Sequence, residues 1–79
     1  MEEKVIAYVL LITESNQSQD ILKVMREMKE VRSAHLVYGD WDIVAMIELN
    51  HLTEMTNFMM DLRKKYAIKK SSTLIALNE

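Results

Sequence analysis

The sequence contains no cysteine and no proline, and its single glycine is Gly39. Without cysteine there is no disulfide, zinc–thiolate centre, iron–sulfur cluster or thiol nucleophile. One glycine cannot build a phosphate-cradling loop, because P-loops and dinucleotide folds each need several. Neither sign of charge dominates: 10 Lys and Arg against 12 Asp and Glu leave a net charge of −2. A dedicated DNA- or RNA-binding domain is usually basic, so nucleic acid is not expected as a direct partner. No apolar run approaches the roughly 18 residues of a membrane span. The longest, Val5 to Ile12, follows Lys4 as the core of a signal peptide would. Thr13-Glu14-Ser15-Asn16 comes after it and offers no small-residue cleavage site. The run is therefore expected to be a strand, and the protein to be cytoplasmic and free of membranes.

What remains is the composition of a folded domain: 79 residues, 49% of them hydrophobic and 28% charged. One domain over residues 1–79 is expected. A domain of this size buries only about 60–65% of its unfolded surface. With nothing covalent to staple it, self-association follows as an expectation from size alone.

Hydrophobic periodicity divides the chain into six elements. Val5 to Ile12 is β-branched and apolar without alternation, the pattern of a strand buried on both faces. Asn16 to about Glu30 reads as a helix. Asn16 is its expected cap, Gln19 the capping-box partner, and Ile21, Met25 and Met28 its apolar stripe. Ser33 to Tyr38 alternates, with Ala34, Leu36 and Tyr38 on one side. Gly39-Asp40 marks a turn, and Asp42 to Leu49 forms the next strand. Asn50 is the expected cap of a second helix running to about Tyr66, with Leu52, Met55, Phe58 or Met59, and Leu62 as its stripe. Lys69 to Leu77 is the last strand. The order β-α-β-β-α-β defines a ferredoxin-like α+β fold, a four-stranded antiparallel sheet with both helices on one face. The other face would then expose the second side of an apolar first strand, together with Val44 and Met46. Soluble monomers rarely carry such a patch, so a second copy packed sheet to sheet is expected to cover it.

The fold hosts many functions and names none. The third strand lacks the stacking aromatics of an RNA-recognition motif. His35 and His51 have no spacing that joins them, so neither a metal site nor a catalytic residue is expected, and no cofactor. Among the seven methionines, Met25, Met28, Met55 and Met59 fall at core spacing. Lys64, Lys65, Lys69 and Lys70 form a basic cluster that reads as a solvated helix end and strand edge.

The five residues Tyr38-Gly39-Asp40-Trp41-Asp42 are denser in chemistry. Glycine permits a positive φ and a close approach to backbone. Asp40 and Asp42 are acceptors for an ammonium group, and Trp41 offers a large surface with one donor. The same residues also suit a plain hairpin turn. Ser71 and Thr73, two apart on the last strand, present hydroxyls to one side. They serve equally as carboxylate donors or as ordinary strand formers.

The hairpin Val37-Tyr38-Gly39-Asp40-Trp41-Asp42-Ile43-Val44 resembles the glycine, any residue, aromatic, aspartate turn of the Lrp/AsnC transcriptional regulators. The ending Ser71-Ser72-Thr73-Leu74-Ile75-Ala76-Leu77 resembles the last strand of their effector domain, the "regulation of amino-acid metabolism" domain. The element order matches throughout. Trp41 stands where tyrosine is commoner, Ser71 where threonine is expected, and Tyr66-Ala67 replaces a link with proline and glycine. The resemblance implies a non-enzymatic sensor of amino acids or related metabolites, without the family's DNA-binding domain, acting with full-length regulators of its type. It implies a sheet-to-sheet homodimer assembling into octamers or decamers, with effectors bound between dimers. Gly39 would admit the ligand, Asp42 and Asp40 would meet its ammonium, and Ser71 and Thr73 would line the pocket. Tyr38 and Trp41 would shape it. Two other classes share the element order: an enzyme of the dimeric α+β barrel type, using His35, Tyr8, Tyr38 or a carboxylate, and an amino-acid-binding ACT-type module. The latter favours a glycine in the loop after the first strand, which is absent here.

Overall fold

The computed structural model describes residues 4–14 and 16–77. Six elements follow in the expected order: β1 (Val5–Thr13), α1 (Ser18–Glu27), β2 (Val31–Leu36), β3 (Ile43–Leu49), α2 (Glu54–Lys65) and β4 (Ile68–Ile75). The strands form one antiparallel sheet in the order β2-β3-β1-β4. This is the ferredoxin-like α+β arrangement.

The register separates the two faces of the sheet. Val5, Ala7, Val9 and Leu11 of β1 stand opposite Leu49, Ile47, Ala45 and Ile43 of β3. Strand side chains alternate, so these eight share one face. All of them but Val5, which packs against it, form the core with Ala34 of β2, Ile21 and Met25 of α1 and Phe58 and Leu62 of α2. Burial of those helix residues, four apart on each helix, is what fixes each helix against the sheet. On the opposite face lie Ile6, Tyr8, Leu10 and Ile12 of β1, Val44 and Met46 of β3, and Leu74 of β4. Tyr8 is 39% and Leu74 57% exposed. Within a single chain the second face of β1 is thus open rather than buried, because both helices lie on the other side.

Several boundaries depart from the sequence reading. Helix α1 begins after Gln17, not at Asn16, and ends at Glu27, so its expected cap lies outside it. Ser15, in the preceding loop, is outside the described residues. Helix α2 begins at Glu54 after Thr53, not at Asn50. Asn50 still marks the turn, but as a backbone donor: its N–H bonds the Glu54 carboxylate at 3.0 Å. Leu52, expected on the α2 stripe, precedes the helix and is exposed. Of Phe58 and Met59, it is Phe58 that joins Leu62 as a buried member of that stripe. Strand β2 is displaced toward the N-terminus by two residues, which leaves Tyr38 beyond its end. Strand β4 stops at Ile75.

The edge strand β2 is shielded by a side chain. Arg26 of α1 donates from both Nε (2.9 Å) and Nη2 (2.7 Å) to the carbonyl of Ala34.

Candidate functional site

The β2–β3 connection places the candidate residues at the end of the sheet where β1 finishes. The Val37 N–H donates to the Asp42 carbonyl at 2.9 Å, closing the hairpin. Gly39 has φ +114°, outside the range an L side chain adopts without strain. Open space surrounds the position a Cβ would take, so the requirement for glycine is conformational, not steric. Glycine here lets the chain reverse and holds Tyr38 fully in solvent.

Asp42 ties this turn to the rest of the fold. Its N–H donates to the Leu11 carbonyl at 2.8 Å, and its Oδ2 accepts the Thr13 N–H at 3.0 Å. Thr13 is the buried polar residue of β1, 3% exposed. Its hydroxyl meets the Ser18 hydroxyl at 2.6 Å in the first turn of α1. The chain Asp42–Thr13–Ser18 therefore links hairpin, β1 and α1. Beside it, Ser18, Leu36, Val37, Tyr38 and Asp42 line a shallow groove of about 360 Å³.

Trp41 is half-buried, and the ammonium of Lys70 lies 5.5 Å from its ring centroid. Lys70 stands opposite Ile12. The contact spans β1 and brings the start of β4 to the hairpin.

Ser71 and Thr73 are placed differently. They stand opposite Leu11 and Val9, so they share the helix-bearing face of β4. The Ser71 hydroxyl accepts a hydrogen bond from Arg63 of α2 at 2.6 Å. Strand β1 separates them from Asp42, a distance of roughly two strand spacings, about 10 Å. Tyr38, Gly39, Asp40, Trp41 and Asp42 thus form one cluster, and Ser71 and Thr73 a second. Two residues near the cluster escaped selection from the sequence, Thr13 and Lys70. Lys70 was visible only as part of a basic run, and nothing local to either residue signals the contact each makes.

Elsewhere a cleft of about 490 Å³ lies at the far end of the sheet among Lys4, Lys29, Arg32, Glu48, Glu54 and Asp61. Its charges are partly spent on one another, as in the Arg32–Glu48 pair. His35 faces the open side of the sheet opposite Val44, and the described residues contain no group of three or more side chains that could hold a metal ion. No helix among the described residues is long and apolar enough to cross a membrane.

An acidic, glycine-turned hairpin thus stands at the rim of a ferredoxin-like sheet with one open apolar face. The chain belongs to the Lrp/AsnC ligand binding domain family, whose model matches residues 6–79. Protein PHS023 from Pyrococcus horikoshii is 30% identical, with 95% of this chain and 92% of that one aligned at a TM-score of 0.85. FFRP-DM1 is also 30% identical, with 92% and 99% aligned at 0.85. A transcriptional regulator from Neisseria meningitidis, solved as a complex with L-Met, shares the fold at 15% identity and a TM-score of 0.82. That alignment covers 95% of this chain and 51% of the regulator. No curated protein matches the sequence. Membership of this family sets aside the ACT-type alternative.

Proposed function

We propose that the chain is a non-enzymatic amino-acid-sensing and oligomerisation module that modulates transcription together with full-length regulators of its family. The observation that carries the reading is the hairpin. A positive-φ glycine exposes backbone beside two carboxylates, one of them, Asp40, exposed and without a hydrogen bond among the described residues. Such a turn can accept an ammonium group. The L-Met bound by the Neisseria regulator supports the ligand class.

The separation of the two candidate clusters gives assembly a role. Ser71 and Thr73 lie across β1 from Asp42, so one ligand would meet both clusters only where two subunits bring them together. A homodimer formed by the open sheet faces would bury Tyr8, Leu10, Val44 and Met46. Further association into octamers or decamers would set hairpins against neighbouring subunits. A ligand held between subunits stabilises the assembled state by mass action. In mixed complexes with a full-length regulator, ligand and partner binding would be coupled by the same free energy in both directions. Membership of a ligand-binding domain family supports this reading over an α+β barrel enzyme.

The test is a thermal-shift screen of the free L-amino acids at millimolar concentration. A ligand at a hundred times its dissociation constant adds about 2.7 kcal/mol. A selective rise in Tm that Asp40→Asn removes supports the sensor. Asp40 is the informative position, because Asp42 also holds Thr13. No shift with any amino acid overturns the ligand class.

A further inference from the structure

The sheet has two free edges, β2 and β4, and they are protected differently. The β4 edge carries Lys69 and Lys70, charged side chains of the kind that discourage a further strand. β2 has no lysine, and its one arginine, Arg32, is paired with Glu48 of β3.

The ladder fixes which backbone groups of β2 face outward. The Val37 N–H donates to the Asp42 carbonyl, so the hydrogen-bonded pairs run on through His35–Val44 and Ser33–Met46. Ala34 and Leu36, which alternate with these, turn their N–H and C=O groups to the free edge. The outward carbonyl of Ala34 is the one to which Arg26 donates twice, from Nε and Nη2. A carbonyl oxygen has two lone pairs, and both are taken. Beside this contact Arg26, Gln19, Leu22, Lys23, Glu27 and Leu36 line a groove of about 510 Å³.

The edge is complementary to itself. A second copy whose β2 runs antiparallel to the first, about a two-fold axis at His35, sets Ala34 of each copy opposite Leu36 of the other. The Ala34 N–H would donate to the Leu36 carbonyl across the axis, and the Leu36 N–H to the Ala34 carbonyl. The second of these bonds is the one Arg26 forecloses, on both sides of the axis.

We propose that Arg26 is an autoinhibitory clamp on the β2 edge. By saturating the Ala34 carbonyl it holds back an edge-to-edge dimer in which the β2 strands of two copies of this chain pair antiparallel about His35. That interface is distinct from the open face of the sheet, and its formation joins the two sheets into one.

The absence of cysteine makes site-directed crosslinking the test. In the edge-to-edge dimer the two His35 positions form a non-hydrogen-bonded pair, with Cα atoms about 4.5 Å apart, within reach of a disulfide. The whole chain carrying His35→Cys is oxidised with glutathione disulfide, with Arg26 kept and with Arg26→Ala, and covalent dimer is measured on a non-reducing gel. Arg26→Ala should raise the yield about tenfold, the contribution of two neutral hydrogen bonds. Arg26→Lys, which keeps the charge and loses the two-pronged donor, should give an intermediate yield. Met46→Cys, on the open face of β3, reports sheet-to-sheet contact and should crosslink to the same extent with or without Arg26. Equal yields at position 35 with arginine, lysine and alanine at position 26 overturn the clamp. A rise at position 46 that matches the rise at position 35 also overturns it, because the gain is then not specific to the edge. If Arg26→Ala loses its far-UV circular dichroism, Arg26→Lys alone decides, and no rise with that variant overturns the proposal.

Discussion

Asp42 holds Thr13: the carboxylate on the β3 side of the hairpin accepts the N–H of the last residue of β1 at 3.0 Å. The acid best placed by sequence as a ligand contact is therefore also a structural acceptor. Removing it leaves a nearly buried backbone donor without a partner, which costs about 1–3 kcal/mol. Asp42→Ala is expected to lose that much stability in urea unfolding with no ligand present. Asp40→Asn, at an exposed position, should stay within about 0.5 kcal/mol of wild type. Equal stability of the two variants would show that the Thr13 contact contributes nothing.

Gly39 offers a separation of strain from crowding. Its φ is +114°, and beyond the glycine itself and its two chain neighbours nothing lies within 4 Å of the point where a side chain's Cβ would stand. Gly39→Ala should cost about 1–2 kcal/mol, the penalty of a left-handed conformation for an L-residue. Gly39→Val should cost at least as much, through its branched side chain and not through any clash. In a domain this small each kcal/mol moves Tm by roughly 4–8 °C, so calorimetry resolves both.

The open face of the sheet predicts concentration-dependent behaviour. Tyr8, Leu10, Val44 and Met46 stand together around the β1–β3 ladder, paired Tyr8 to Met46 and Leu10 to Val44. Leu10→Asp should leave the core face intact and convert the assembly to monomer in analytical ultracentrifugation. Its Tm should also lose the dependence on protein concentration that the proposed sheet-to-sheet dimer predicts for wild type. An unchanged mass would exclude this face as the interface.

The core makes the complementary prediction. Phe58 is 2% exposed and Met60, two residues on, is 52% exposed. Phe58→Ala should cost about 3–5 kcal/mol, a large part of what a domain of this size has. Met60→Ala should be close to neutral in the same denaturation experiment.

The composition and periodicity of the chain carried the fold. Four strand-like runs, a hairpin with one glycine, and two stretches of 3.6-residue periodicity admit one ferredoxin-like order. Ile21, Met25, Phe58 and Leu62, apolar residues at helical spacing, all lie in the core, because side-chain period and burial are the same constraint seen twice. Leu52 does not, since the chain has not yet entered α2 there. Asn16 and Asn50 were less legible. Both are good helix caps by type, but capping is decided by where the backbone turns, and α1 and α2 start two and four residues later.

The hairpin was legible for a different reason. Glycine, two aspartates and tryptophan in five residues specify a turn and its chemistry locally, and the positive φ of Gly39 follows from residue type. What only the tertiary structure decided is who meets that turn. Thr13 reaches Asp42 across 29 residues of sequence, and Lys70 reaches Trp41 across as many. Ser71 is drawn instead toward Arg63. Such contacts depend on strand order and register, which are set by burial summed over the whole sheet. No local pattern encodes them, because a strand's period names the face of each residue but not its neighbour across the ladder.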